Sequence, residues 1–383
     1  MRTIEAAGLP IGPDEPSRIM GVLNVSRESP YSPSVYDDSG EAAEYVDEEL
    51  IAEGADIVDV GLESANKRLD VLSADQELDR LDTAIETMES TSGDAVWSIE
   101  TRYAEVAETA LDAGYDMVND VCGFADPQMP AVCEEYDVAV CKMAGPPDLE
   151  RPGAVDDVDW TTRRSRAWVD RSTYVDRVYE ALKQNGFTEK TIVDPAFGGW
   201  SERKTVADDR ELFRRLGEFR EFGRPMLVSI NRKNFLRQIT GRSTEAALPV
   251  SLAATSMAVE RGARVVRTHD VQETVDAAMV GDAFADAGGP AGATVSVTEM
   301  EAGEDRVGDD RTGERVFAVG GLTAAAAAEF SRAASAVDAV VRSGPGPDGL
   351  LLGVESQAIG ALAERLPATP ALTTVAGRLR AHR

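Results

Sequence analysis

Eight short apolar runs, nearly every one with a polar side chain at or near its end and most followed by a stretch with helical periodicity, recur over residues 19–270 and leave few folds open to this chain. The runs are IMGVLNV from Ile19, ADIVDVG from Ala55, AVWSIE from Ala95, DMVNDV from Asp116, VAVCKM from Val138, TIVDP from Thr191, PMLVSIN from Pro225 and ARVVRTHD from Ala263. Continuous apolar runs suit strands covered on both faces, as in parallel sheets. Between them Gly40–Glu53, Asp75–Met88, Ala104–Ala113, Arg166–Gln184, Arg210–Phe222 and Leu248–Arg261 read as helices. Eight strands alternating with helices predict an α/β fold of the (β/α)8 TIM barrel type. A doubly wound open sheet is the rival, but no G-x-G-x-x-G follows the first run.

A barrel of this type takes ~250 residues, and the chain has 383. From about Gly288 the composition shifts, so we expect a barrel over residues 1–287 and an appended C-terminal α/β module over 288–383. That module should hold strands at Thr294–Thr298 and Arg315–Val319, a helix from Thr323 to Ala334, a turn at Gly344–Gly349 and a last helix over Glu355–Leu366. It carries no recognisable catalytic motif. The stretch Gly145–Thr162, rich in Pro and Asp, reads as a long solvated connection.

Lys+Arg 39 against Asp+Glu 68 gives a net charge of -29, which argues against nucleic acid or an acidic membrane surface as a partner. Lysine stands only at Lys67, Lys142, Lys183, Lys190, Lys204 and Lys233. An acidic, lysine-poor chain suggests adaptation to molar salt, where a Debye length of roughly 3 Å screens self-repulsion. The N-terminus lacks the apolar segment of a signal peptide, and no run approaches the ~18 apolar residues of a membrane span. A cytoplasmic protein is expected. Cys122, Cys133 and Cys141 have no C-x-x-C spacing and read as reduced thiols rather than zinc ligands.

The polar residues closing the runs point to function. They are Asn24, Glu63 with Ser64, Glu100, Asn119 with Asp120, Lys142, Asp194, Lys233, and Arg267 with His269. In a barrel all these ends meet on the face where active sites of the fold sit. Any one of them can be explained as a strand end meeting a loop; the set as a whole points to a site.

Five stretches carry a resemblance: IMGVLNVS from Ile19, GADIVDVGLES from Gly54, the segment Ser98–Val121, VDPAFGG from Val193, and Pro225–Ala283 with NRKNF and VVRTHDVQETVDA. In order and spacing they resemble dihydropteroate synthase, the pterin-binding barrel family of folate synthesis. The resemblance implies a transferase that displaces diphosphate from a pterin methylene with the amine of p-aminobenzoate. It implies pterin binding by Glu100, Asn119, Asp194 and Lys233, with Asp194 accepting the parallel donors of the pterin's amino-pyrimidinone edge. It assigns the diphosphate to Asn24, Ser64, Arg267 and His269, and catalysis to Arg267, His269, Lys233 and Glu100. Asn24 would also meet Mg²⁺, which binds through oxygen ligands and substrate phosphates. A homodimer is expected.

The sequence departs from the family at several places. Glu100-Thr101 stands where the family has Asp-Thr, and Ser64-Ala65-Asn66-Lys67-Arg68 where it has Ser-Thr-Arg-Pro-Gly. Lys67 or Arg68 could substitute for what that loop loses. The first loop, from Ser26 to Ser32, also differs, and the loop after Asp194 carries Phe197 and Trp200 with a late Lys204. Pterin recognition therefore reads as better kept than amine recognition. The alternatives are a pterin-dependent methyltransferase of the same barrels and a non-catalytic pterin-binding paralogue.

Overall fold

The computed structural model of the protein describes residues 1–26, 34–64, 70–145, 160–198, 204–285, 296–300, 314–320, 322, 324–343, 350–367 and 369–381. These form two compact units, Met1–Ala287 and Gly288–Arg383.

The first unit is the (β/α)8 barrel. After a hairpin of β1 (Ile4–Ala6) and β2 (Leu9–Ile11), its parallel strands are β3 (Arg18–Asn24), β4 (Ile57–Gly61), β5 (Val96–Thr101), β6 (Met117–Asp120), β7 (Ala139–Met143), β8 (Thr191–Asp194), β9 (Leu227–Val228) and β10 (Val265–Thr268). They pair in the order β8-β7-β6-β5-β4-β3-β10-β9. A parallel bridge between Val193 and Met226 closes the ring, with the Val193 N–H donating to the Pro225 carbonyl at 3.0 Å. β9 is the shortest of the eight. Pro225, just before it, has no N–H to give a ladder.

Side chains two apart on a strand share a face, and this stacks the barrel interior in layers. Met20, Ile57, Val96, Met117, Ala139, Ile192, Leu227 and Val265 belong to one buried apolar cluster. Ile4, Ala6 and Ile11 of the hairpin join that cluster, so the hairpin plugs the end of the barrel where the strands begin. Ala7 and Gly8, both at positive φ, form its two-residue turn. Two residues further along, the interior turns polar on five of these strands, with Asp59, Ser98, Asn119, Asp194 and Arg267.

Three helices differ from expectation. Gly40–Glu53 is an α-helix over Ser39–Tyr45 that continues as a π-helix over Val46–Ile51. Arg166–Gln184 is split into Arg166–Arg171 and Tyr174–Lys183, because Thr173 and Asp176 form a capping box that starts a new helix. Arg210–Phe222 begins earlier, at Val206 behind the Thr205–Asp208 capping box, and tightens to a 3-10 helix over Leu216–Phe222. Among the described residues no helix is long and apolar enough to cross a membrane.

The second unit has its own core, including Phe317, Phe330, Leu352, Leu362, Val375 and Leu379. Its antiparallel sheet runs in the order β11-β12-β14-β13, formed by β11 (Ser296–Met300), β12 (Glu314–Gly320), β13 (Val340–Ser343) and β14 (Leu350–Glu355). Helices Ala324–Ser335, Ile359–Arg365 and Pro370–Ala381 accompany it. β13, β14 and the last helix were not expected from sequence, and the expected turn Gly344–Gly349 lies outside the described residues.

One strand-end residue, Lys142, is diverted from the barrel mouth. It alternates with the inward Cys141, so its side chain enters the layer between strand and helix. There its ammonium donates to the carbonyls of Leu182 (3.1 Å), Gly186 (2.7 Å) and Gln184, at the end of the helix Tyr174–Lys183. Phe124 and Phe187 rings lie 4.7 and 4.9 Å from it. Burial pulls its pKa down to about 7, with Asp120 opposing. Lys142→Met strips the donors from three carbonyls. We expect it to cost about 3 kcal/mol, measured by denaturant unfolding in molar KCl.

Candidate active site

The site is built around one ion cluster. Arg267, from β10, reaches across the barrel so that its Nε donates to Asp59 Oδ2 and its Nη2 to Glu100 Oε2, both at 2.6 Å. Asp59 is fully buried and accepts two more hydrogen bonds, from Ser98 Oγ at 2.7 Å and Asn119 Nδ2 at 2.9 Å. Four strands, β4, β5, β6 and β10, are thus tied through a single carboxylate. Burial pushes Glu100 up to about 7, against the pull of the Arg267 charge and with the Asp59 charge adding to the rise. Burial works against the Arg267 charge too, but Glu100 and Asp59 outweigh it and hold its pKa above the ordinary guanidinium value. Asp59 was missed in the sequence because it lies mid-run in IVDVG. The two-residue alternation linking it to Gly61, matched by Ser98 and Glu100 on the next strand, is the signal that finds it.

Asp194 closes β8 with one oxygen held by the Ala196 N–H at 2.8 Å. Burial raises its pKa to about 6, opposed by that hydrogen bond and by Lys233 and Arg267. Lys233 is lowered to about 8 by burial and by the Arg267 and Lys204 charges. Its chain passes Gly198, where a Cβ would stand 3.1 Å from Nζ, so this glycine at φ +118 is what leaves the lysine its path. The neighbouring Arg232 has a separate task. It pairs with Asp270 through two bonds of 2.8 and 2.7 Å and donates to the carbonyls of Thr244 and Glu245. Asp270 is thus taken by Arg232 rather than by Arg267.

A third group connects β3 to β10. Asn24 Nδ2 donates to Ser34 Oγ at 2.9 Å, and the same oxygen lies 3.2 Å from His269 Nδ1. Burial, then the Arg267 charge, lower His269 to about 3, with Lys233 and Arg232 adding to it against Asp270. The ring is therefore neutral at pH 7, and Arg267 rather than His269 brings the positive charge.

Ser64 lines a narrow cleft with Glu63, Glu77, Glu100, Thr101, Arg102 and Val121. Arg102 is buried there, paired with Glu63, 3.7 Å from Glu77, and donating to the Leu72 carbonyl at 2.6 Å. Glu63 accepts the Leu72 N–H at 2.8 Å, so this pair fixes the chain just beyond the second loop. Asp120 turns outward to accept the Cys122 and Phe124 N–H groups, both at 2.7 Å. Lys204 pairs with Asp209 at 2.8 Å. Lys67, Arg68, Trp200 and the first-loop residues 27–33 lie outside the described residues, as does most of the Gly145–Thr162 connection.

Residues 20–269 match the family described as pterin binding enzyme. The chain is 35% identical over 269 residues to a probable bifunctional folylpolyglutamate synthase/dihydropteroate synthase of Halobacterium salinarum, a match over 70% of this chain and 32% of that protein. It thus spans about a third of that relative's length. It is 32% identical over 266 residues to a dihydropteroate synthase of Streptococcus pyogenes, covering 68% of this chain and 93% of the relative. A Xanthomonas albilineans dihydropteroate synthase solved with 4-aminobenzoic acid superimposes with a TM-score of 0.57 at 29% identity, over 73% of this chain and 97% of that one.

Asp59→Asn keeps the shape of the hub and removes its charge. We expect the Glu100 pKa to fall below about 7, because the Asp59 charge raises it, and the fold to lose about 3 kcal/mol. Carboxyl ¹³C titration and denaturant unfolding read the two effects; an unmoved Glu100 would show that the two acids are not coupled.

Proposed function

The chain belongs to the pterin-binding enzymes, and on that premise we propose that its barrel is a dihydropteroate synthase, joining a 6-hydroxymethyl-dihydropterin diphosphate to p-aminobenzoate or a similar amine. The observation that carries this reading is the Arg267 cluster, flanked by Asp194 and Asn119 on one side and by Asn24 and His269 on the other. Asp194 suits the donor edge of the pterin, which a carboxylate accepts in bidentate fashion. Asn119 gives an amide hydrogen to Asp59, which leaves its carbonyl for the same ring. Lys233, carrying its charge near neutral pH, donates to the ring carbonyl.

The reaction breaks the bond between the pterin methylene carbon and the diphosphate oxygen, and the electron pair leaves with diphosphate. Arg267 and His269 donate hydrogen bonds where that negative charge develops, and Ser64 adds a hydroxyl from the cleft. Glu100, when ionised, stabilises the positive charge on the methylene. The amine lone pair then forms the new C–N bond, and the amine proton is lost. Methyl transfer has no such leaving anion, so this arrangement favours the synthase over that alternative.

Mg²⁺ fits the donor set present. A Cβ built on Gly61 would lie 3.0 Å from Asn24 Oδ1 and 3.8 Å from a Glu100 oxygen, so the glycine leaves open a space edged by hard oxygen donors. Among the described residues no group of three His, Cys, Asp or Glu could hold a metal, so Asn24 would share the ion with diphosphate oxygens. When bound, it would offset the charge of the leaving group.

The chemistry is assigned to residues 1–287, with 288–383 an appended module. The acidic, lysine-poor composition and the buried free thiols of Cys122, Cys133 and Cys141 suit a cytoplasm of high salt. Met257, Met279, Val280 and Phe284 are exposed on the adjoining helices Leu248–Glu260 and Val271–Phe284. That apolar face supports a homodimer.

Two outcomes test this reading. In molar KCl with Mg²⁺, the protein should release diphosphate and form the pterin–aminobenzoate adduct by mass, and Arg267→Ala should lower kcat/KM by about 100- to 1,000-fold. Pterin binding without turnover would support the non-catalytic paralogue instead. Light scattering should give twice the 41.0 kDa chain mass, with Phe284→Glu shifting the species to the single-chain mass.

A further inference from the structure

We propose that Arg102 is a positioning residue for the diphosphate end of the site: it clamps the two ends of the second loop to β5 and so fixes Ser64, which follows Glu63 directly, where its hydroxyl meets the diphosphate. The role of Ser64 rests on the dihydropteroate synthase reading; the clamp itself does not.

Three parts of the barrel meet at Arg102. β4 leads into Leu62, Glu63 and Ser64, the chain comes back through Leu72 into the helix Ala74–Ser90 behind its cap Ser73, and β5 ends at Thr101. Arg102 comes next and its side chain is buried. Its Nη1 donates to Glu63 Oε2 and lies 3.7 Å from Glu77 Oε1. Its Nη2 donates to the Leu72 carbonyl at 2.6 Å and to the Tyr103 hydroxyl at 3.0 Å.

Leu72 is held through both of its backbone groups. Its N–H donates to Glu63 Oε1 at 2.8 Å, and its carbonyl accepts from the Tyr103 hydroxyl at 2.6 Å as well as from Arg102. Entry and exit of the second loop are therefore joined through the Glu63 carboxylate, and Arg102 with Tyr103 tie both to β5. The helix is tied in as well. Glu77 accepts the Thr101 hydroxyl at 2.5 Å, and Arg80 donates to the Leu62 carbonyl at 2.7 Å.

The contacts call for a guanidinium. A planar fork reaches a carboxylate, a carbonyl and a hydroxyl at fixed angles, which the single ammonium of lysine does not reproduce. A charge this buried persists only when paired, and Glu63 and Glu77 supply the partners. The ends of the loop are thus set before a substrate arrives. Ser64 is itself buried and lines the cleft beside Glu63, Arg102 and Glu100. Holding its neighbour by both carboxylate oxygens lowers the ordering cost that a bound substrate would otherwise meet. Arg102 acts on the diphosphate only through Ser64.

Amide hydrogen exchange and binding of inorganic diphosphate, both on the full chain in molar KCl, test this. The Leu72 amide should exchange slowly in the wild-type protein and at least about tenfold faster in Arg102→Lys, with the amides of β3 and β10 unchanged. Arg102→Lys and Ser64→Ala should each weaken diphosphate binding about tenfold, and the double variant should bind no more weakly than the worse single one. In turnover, kcat/KM for the pterin diphosphate should follow the same pattern. Tyr103→Phe, which removes one donor from the Leu72 carbonyl, should give smaller changes of the same kind, and it carries the test if Arg102→Lys does not fold. Fast Leu72 exchange in the wild-type protein overturns the proposal, as do unchanged exchange in the variants and binding losses that multiply in the double variant. A wild-type protein that binds diphosphate without turnover sinks the synthase reading and leaves the clamp standing; one that binds no diphosphate sinks both.

Discussion

One guanidinium shared by two carboxylates inside a parallel barrel is the interaction on which the rest of this structure depends. Charges taken from water are costly unless paired and hydrogen-bonded. Here Arg267 is divided between Asp59 and Glu100, and Asp59 spends its remaining acceptor capacity on Ser98 and Asn119. The arrangement fixes the plane of Arg267, the rotamer of Asn119 and the reach of Glu100 together. Lys233 and Asp194 then titrate closer to neutrality than they do in water, because burial dominates both. The proposed reaction, with a neutral ring at one end and a leaving anion at the other, needs both kinds of group, held apart by fixed partners.

On the proposed function, a chain of net charge -29 has to take anionic substrates, and the basic groups it offers them are local ones. The basic groups at the mouth lie on strand ends and are shielded by the barrel wall, so substrates meet their field at close range. Molar salt screens the acidic surface far more than it screens partly buried pairs. Asp270 is taken by Arg232, which leaves Arg267 to Asp59 and Glu100.

Much of this was legible in the sequence. Continuous apolar runs marked all the barrel strands, and Asn24, Glu100, Asn119, Asp194, Lys233, Arg267 and His269 were readable as strand-end polar groups. Asp59 was hidden by its position inside a run, and Ser34 by a loop whose return toward Asn24 depends on a backbone bridge. Lys142 was readable but misplaced, since one residue of phase in a strand decides between the barrel mouth and the helix layer. The hairpin β1–β2 was passed over because three-residue strands carry almost no periodicity. In the second unit, β13 and β14 went unread although short apolar stretches mark them, and the helix break at Thr173 needed the capping box to be weighed against an otherwise continuous pattern.

The most direct test of the central claim is a double-mutant cycle on turnover of the pterin diphosphate, crossing Asp59→Asn with Arg267→Gln. If one charge cluster organises the site, the wild-type protein turns over, each single variant is slow, and the double variant is about as slow as the worse single. Losses that multiply, or a wild-type protein that releases no diphosphate, would contradict the account.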